Sequence, residues 1–102
     1  MYEDDYILRQ IRQLGQAIAR LLRGETVDQR ELDTVAREAL GLELATIDAL
    51  PIDALLALAT PGDDRAADRL RAMASLLEAT AEAGPDGEAR RAKARALRER
   101  VH

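Results

Sequence analysis

The chain has 102 residues and a net charge of −4, and its apolar residues are mainly Ala, Leu, Ile and Val, with Tyr2 and Tyr6 as the two aromatic residues. This length suits one domain with its own core, and the wealth of Leu and Ala favours helices over strands. Because the chain has no cysteine, disulfides, thiolate nucleophiles and cysteine-based zinc sites are excluded.

The first predicted helix runs from about residue 4 to residue 23, and a carboxylate at Asp4 or Asp5 can cap its start. Its apolar residues form two neighbouring rows that together span roughly 160° of the helix surface. That arc is wider than a two-helix seam needs, so this helix should touch more than one neighbour. The rows are Ile7, Ile11, Leu14, Ile18 and Leu21, and beside them Leu8, Gly15, Ala19 and Leu22.

Gly15 lies in the interior of this helix, where glycine costs roughly 1 kcal/mol relative to alanine. We expect the close approach of another helix to offset that cost. The alternative is that Gly15 reflects neutral drift.

The second predicted helix has two capping-type starts, Thr26 with Gln29 or Asp28 with Glu31, and it should end at Gly41. Its inward residues are predicted to be Leu32, Val35, Ala36, Ala39 and Leu40.

The stretch 42–58 is the most apolar part of the chain. Pro51 disfavours helix at Leu50, so the stretch should form two short helices, over residues 46–50 and 51–59. Whether it is wholly core or partly a docking groove stays open at this point.

A turn at residues 60–63 precedes a predicted helical hairpin, with helices over 63–83 and 86–101. The first of these should bury Ala66, Leu70, Met73, Ala74 and Leu77. The second has a stripe of small residues that permits close helix approach, and a larger apolar stripe. The small stripe is Ala89, Ala92 and Ala96, and the larger one is Ala94, Leu97 and Val101.

Two resemblances support this fold. The hairpin resembles one tetratricopeptide-type repeat, with Glu88-Ala89 opening its second helix and Ala96-Leu97 at the small and large apolar positions. The segments 5–11, 41–42, 49–51 and 55–58 are similar to a family of small uncharacterised bacterial proteins. That family opens with an Asp-Tyr-Ile helix and ends in a tetratricopeptide-like hairpin, and the resemblance implies a fold but no activity.

Catalytic groups are scarce. Ser75 is the one serine, and His102, the one histidine, is the last residue of the chain, where it is poorly placed for catalysis. The carboxylate pairs Asp64 with Asp68 and Glu78 with Glu82 share helix faces, but we interpret them as solvated partners of Arg65, Arg69 or Arg71. We therefore expect no enzyme activity, no cofactor and no metal.

The last helix is basic, with six basic residues against three acidic ones from residue 86 onward. Arg91, Arg95 and Arg98 fall on one face, which leaves a nucleic-acid-associated accessory protein as the alternative function. Because the whole chain is acidic, a solvated face or a match for an acidic patch is the preferred interpretation, and we do not expect nucleic acid as a partner.

These observations predict an all-α single domain over residues 1–102, a small bundle of about five helices with N-terminal helices over 4–59 and a C-terminal tetratricopeptide-like hairpin over 63–101. The acidic start is unlike a signal peptide and no apolar run reaches the roughly 20 residues of a membrane span, so we expect a cytoplasmic protein without membrane contact. The predicted function is a non-catalytic protein-interaction or scaffold module that self-associates into a homo-oligomer. The residues predicted for its interface are Ile7, Ile11, Leu14, Gly15, Ile18, Leu22, Leu97 and Val101.

Overall fold

The computed structural model describes residues 2–58, 66–81 and 87–100, with side chains from Tyr6 to Ala57 in the first range. These ranges contain six helices and no strand, which confirms the predicted all-α class. The helices are α1 (Tyr2–Leu22), α2 (Gln29–Leu40), α3 (Leu44–Ala49), α4 (Ile52–Leu58), α5 (Ala66–Ala81) and α6 (Gly87–Glu99).

The ends of α2 follow local capping chemistry. Of the two predicted starts, Asp28 is the one used, because its side chain accepts a hydrogen bond from the backbone N–H of Arg30 at 3.0 Å. At the other end, Gly41 has φ 78° and donates its N–H to the carbonyl of Arg37 at 2.8 Å. Glycine takes this left-handed conformation without steric cost, so the helix ends where the sequence predicts.

Pro51 separates α3 from α4 as expected. Leu50 is extended, with φ −83° and ψ 141°, and the carbonyl of Pro51 accepts the N–H groups of Ala54 and Leu55 at 3.0 and 3.1 Å. α3 begins two residues earlier than predicted, because the carbonyl of Glu43 already accepts the N–H of Ile47 at 3.0 Å.

One hydrophobic core joins all six helices. α1 packs against both α2 and α5, which confirms that its wide apolar arc touches more than one neighbour. The stretch 42–58 contributes Leu44, Ile47 and Leu55 to this core, while Leu42, Leu50, Ile52 and Leu56 are partly buried against it. The remaining core side chains are Leu14, Ala17, Ile18, Leu32, Ala36, Ala39, Leu40, Leu70, Met73, Ala74, Leu76, Leu77, Ala94 and Leu97.

α5 and α6 form an antiparallel hairpin. The start of α6 lies against the end of α5, where Gly87 meets the carbonyl of Ala81. Towards the other end, the side chain of Arg98 reaches Ser75 and Glu78. The predicted hairpin is thereby confirmed, while its tetratricopeptide likeness stays a prediction.

The small-residue stripe of α6 is not a close helix contact, contrary to the sequence prediction. Ala89 and Ala92 are exposed and Ala96 is half-buried, because α6 presents Ala94 and Leu97 to the core instead. A close approach of the two helices is found at Gly87, where an added Cβ would lie 2.1 Å from the carbonyl oxygen of Ala81.

Several buried residues were missing from the predicted core, among them Ala17 and Ala81, which are 4% and 2% exposed. Leu76 is fully buried, and Thr80 is buried with its hydroxyl donating to the carbonyl of Leu76 at 2.8 Å. Gln10 is 7% exposed, and its Oε1 accepts no hydrogen bond from the part of the chain that the structure describes. The apolar pattern alone does not identify buried polar residues, which explains why Thr80 and Gln10 were missed.

Candidate docking groove

An open groove of about 490 Å³ runs between α1 and α5. Its α1 wall carries aliphatic side chains and a glycine, and its α5 wall carries small residues. Charged residues from both helices line its rim, where Arg71 Nη1 lies 3.5 Å from Asp68 Oδ1. The lining residues are Leu8, Ile11, Gly15 and Ile18 from α1, Ala72 and Ser75 from α5, and Arg12, Asp68 and Arg71 at the rim.

The α1 wall belongs to a longer apolar stripe, which we call the α1 stripe and define as Leu8, Ile11, Gly15, Ala19 and Leu22. At 100° per residue these positions lie within an arc of about 80°, and they extend about 21 Å along the helix. The stripe lies beside the buried face of α1 rather than on it. Gly15 is exposed, Leu22 is 69% exposed, and the other three residues are half-buried.

Gly15 does not meet another helix of this chain, so the predicted close approach is wrong within the described residues. A Cβ built on Gly15 would have no atom within 4 Å. The side of α1 that carries Gly15 opens into the groove, so no contact among the described residues compensates the helix-propensity cost of this glycine.

Burial divides the residues predicted for the interface into two groups. Leu14 and Leu97 are both 0% exposed, so they belong to the core of the folded chain and their prediction as interface residues is wrong. Ile18 is 6% exposed and belongs to the core as well, although its edge lines the groove. Leu14 is covered because α2 and α5 pack against that side of α1, and Leu97 is covered because α6 presents it to the core. The residues left at the surface or at its edge are Ile7, Ile11, Gly15 and Leu22, and Val101 lies outside the described residues.

The predicted basic face is present on α6. Arg91, Arg95 and Arg98 are exposed and line one shallow depression together with Glu78 and Glu99. Arg98 Nη2 binds Glu78 Oε1 at 2.5 Å and donates to the hydroxyl of Ser75 at 3.0 Å. The face therefore has mixed charge, and one of its three arginines is held by α5.

A second depression, of about 650 Å³, lies among α1, α2, α3 and the hairpin. Two of its charged lining residues, Asp48 and Arg90, bind each other, with Arg90 Nη2 2.6 Å from Asp48 Oδ2. Arg90 also donates to the carbonyl of Thr80 at 3.1 Å. Because Asp48 and Arg90 are already paired within the chain, this larger depression is a weaker candidate for a binding site than the groove is.

Lys93 continues this polar contact and ties α3 to α6. Its Nζ donates to the carbonyl oxygens of Ile47, Asp48 and Leu50 at 3.1, 2.6 and 2.8 Å. These are carbonyls at the C-terminal end of α3, where a cation is favoured. This role was not predicted from the sequence, in which Lys93 is the only lysine among many arginines.

Replacing Lys93 with methionine should lower the free energy of unfolding by about 1.5 kcal/mol, because three charge-assisted hydrogen bonds are lost while the aliphatic stem is kept. Amide hydrogen exchange should accelerate in α3 and α4 more than in α5. The matched control is Arg91→Met on the exposed side of α6, which should change stability by less than about 0.5 kcal/mol. Equal unfolding midpoints for the two variants would contradict the assigned role.

The remaining candidate groups do not assemble into a recognisable reactive site within the described ranges. Ser75 accepts a hydrogen bond from Arg98 and faces the groove, and no three His, Asp or Glu side chains come together there as metal ligands would. Asp64, Glu82 and His102 lie outside the described residues. No described helix is both long and apolar enough to cross a membrane.

Comparisons of the chain with protein-family models, with curated proteins and with solved structures found no match.

Proposed function

We propose that this protein is a non-catalytic, cytosolic protein-interaction module, and that its contact surface is the groove between α1 and α5. The observation that carries the proposal is the uncovered α1 stripe, with Gly15 at its centre. Glycine in a helix interior is destabilising by roughly 1 kcal/mol relative to alanine, and no described residue lies within 4 Å of a Cβ built on Gly15 to offset that cost. The close approach of a helix from outside the chain would offset this cost.

The chemistry of the groove defines the partner class. The walls are aliphatic, so the partner surface is a helix whose apolar residues recur every three to four positions, which is the pattern by which amphipathic helices enter grooves. Arg12 and Arg71 stand at the rim with Asp68, which favours a partner helix with charges of both signs beside its apolar face. Leu22, 69% exposed, extends the contact beyond the groove.

Gly15→Glu tests the proposal, because it introduces a charge at the centre of the stripe where the chain leaves space. The matched control is Gln13→Glu, which adds the same charge at an exposed position of the same helix, about 160° away around its axis. We expect tagged wild-type and Gln13→Glu proteins to retain the same partners from an extract of the native host, and Gly15→Glu to lose at least ten-fold in retained amount.

Circular dichroism would first establish that both variants keep the helical content and melting temperature of the wild type. If every retained protein is held equally by Gly15→Glu and Gln13→Glu, the groove is not the contact surface and the proposal fails.

The nucleic-acid alternative has weaker support. Its arginines are exposed on one face of α6, but Glu78 and Glu99 line the same depression and Arg98 is paired with Glu78. Phosphate binding favours a continuous basic stripe, and this face does not form one within the described residues.

A further inference from the structure

We propose that the second depression binds a free α-amino acid with an aliphatic side chain, and that the ion pair of Asp48 and Arg90 holds the charged end of this ligand. The inference goes beyond the proposed function, because it concerns a different surface and a small molecule. It follows from the hydrogen-bonding groups that the ion pair leaves open, from the fixed positions of its two side chains and from the apolar lining beside them.

The ion pair leaves an acceptor and donors for a ligand. Arg90 Nε and Nη2 both contact Asp48 Oδ2, at 2.9 and 2.6 Å, while Asp48 Oδ1 accepts no hydrogen bond from any described residue. Arg90 Nη1 donates to the carbonyl of Thr80 at 3.1 Å, so at most three of the five N–H groups of the guanidinium are engaged within the described ranges. The pair therefore offers a carboxylate oxygen beside guanidinium N–H groups.

The two side chains are held in place before any ligand arrives. The carbonyl of Asp48 accepts a hydrogen bond from Lys93 Nζ at 2.6 Å, and Arg90 is anchored through Thr80 to the C-terminal end of α5. The side chains of Arg90 and Asp48 are 20% and 26% exposed, so both are partly shielded from water. Charge-assisted hydrogen bonds are stronger in such surroundings, and a preorganised site loses less conformational entropy on binding.

The charges of the depression favour a zwitterion. Asp48 and Arg90 neutralise each other, and Glu25, the other charged residue of the lining, is paired with Arg23 at 2.7 Å. The depression therefore attracts neither a simple cation nor a simple anion strongly, which makes it a weak contact for a charged protein surface. A ligand that carries both charges satisfies the ion pair at once, with its ammonium donating to Asp48 Oδ1 and its carboxylate accepting from Arg90.

The closeness of the two charged groups favours a free amino acid over a peptide. In an α-amino acid the ammonium and the carboxylate are bonded to the same carbon atom, and they can therefore meet two protein groups that are in contact with each other. The ammonium and carboxylate of a peptide lie at opposite ends of its chain, so a peptide does not bring both to one ion pair.

Aliphatic residues beside the ion pair select the side chain of the ligand. Leu21, Val27, Leu32 and Leu44 line the depression and are buried or half-buried. Small-molecule sites commonly combine such an apolar lining with a few polar groups that fix the orientation of the ligand. The depression, at about 650 Å³, has room for a side chain of the size of leucine.

Titration with L-leucine, followed by the amide chemical shifts in NMR spectra, tests the inference. We expect saturable shifts in α3 and at the start of α6, with a dissociation constant on the order of 1 mM, a weak affinity suited to a ligand of few atoms at an open site. Isopentylamine lacks the carboxylate, isocaproate lacks the ammonium and glycine lacks the aliphatic side chain, so each should bind at least ten-fold more weakly. The absence of saturable shifts with L-leucine, or equally tight binding of any of the other three compounds, would overturn the inference.

Asp48→Asn tests the role of the ion pair, because it keeps the size of the side chain and removes the charge that the ammonium needs. It should weaken L-leucine binding at least ten-fold. The matched control is Asp53→Asn, the same change at an exposed position of α4 that does not line the depression, and it should bind L-leucine as the wild type does. Equal affinity of the two variants would contradict the inference.

Ala45→Phe provides a second test that leaves the ion pair intact, for the case that circular dichroism shows Asp48→Asn to be unfolded. Ala45 is exposed and lines the depression, so the larger side chain takes the space of the ligand without entering the core. Thr46→Phe, at the exposed neighbouring position that does not line the depression, is the control. We expect Ala45→Phe to lose at least ten-fold in affinity and Thr46→Phe to lose none, and equal binding by both would rule the site out. Because the groove is tested separately by Gly15→Glu, that failure would leave the proposed function standing.

Discussion

Replacing Leu14 with alanine should lower the free energy of unfolding by about 2–5 kcal/mol, whereas Leu22→Ala should change it by less than about 0.5 kcal/mol. Both leucines lie on α1 and both were predicted for the same interface. Leu14 is 0% exposed within the core that α1 forms with α2 and α5, so its truncation removes buried contacts and leaves a cavity. Leu22 is 69% exposed, so its truncation removes few buried contacts and leaves no cavity.

Urea denaturation followed by circular dichroism measures both values, and the pair is matched because the chemical change and the helix are the same. Samples should be dilute enough for any dimer to dissociate, so that only the folding of the monomer is compared. If Leu14→Ala kept the stability of the wild type and only dissociated an oligomer, Leu14 would be an interface residue and the fold around α1 would be wrong.

Features specified by neighbours in sequence were predictable here. The cap at Asp28, the left-handed glycine at position 41 and the interruption at Pro51 each depend on a few adjacent residues, and the structure has all three. The apolar pattern likewise predicted most inward residues of α2 and α5. Helix bounds differ by a few residues, because the last turn of a helix depends on contacts that the local pattern does not contain.

The burial of individual residues in the wide apolar arc of α1 could not be predicted from the sequence. The periodicity of the apolar residues predicted the arc. It could not predict which of these residues are buried and which are exposed, because that depends on where α2 and α5 pack against α1. Once they dock, Leu14 and Ile18 are covered while Gly15 and Leu22 stay open. The candidate groove thus combines predicted residues from α1 with residues of α5, such as Ala72 and Ser75, that no sequence signal connected to them.

The polar contact between α3 and α6 could not be predicted from the sequence for a similar reason. Lys93 and the carbonyl oxygens it binds are separated by 43 to 46 positions in sequence. A lysine on a basic helix looks like a solvated residue until the C-terminal end of another helix is placed against it. Its three hydrogen bonds belong to the tertiary arrangement rather than to α6 itself.

The second large effect is expected at Gly87, where alanine should lower the free energy of unfolding by about 2–3 kcal/mol. Helix propensity alone predicts the opposite sign, since alanine is favoured over glycine by about 1 kcal/mol inside a helix, and by at most that at Gly87, the first residue of α6. Steric overlap outweighs this preference, because the new Cβ would lie 2.1 Å from the carbonyl oxygen of Ala81 and 3.1 Å from its carbonyl carbon. Both atoms are backbone, so relief requires moving α6 relative to α5, and overpacking of that kind typically costs 1–3 kcal/mol, about the size predicted here.

Gly15→Ala is the matched control for Gly87→Ala, because the same methyl group is added to a glycine that has no atom within 4 Å of the new Cβ. In dilute samples it should raise the free energy of unfolding by up to about 1 kcal/mol. Urea unfolding of the two variants would therefore shift in opposite directions from the wild type. A shift of the same sign and size in both would mean that α6 does not approach α5 at Gly87, and the hairpin would then need a wider separation of its helices at this end.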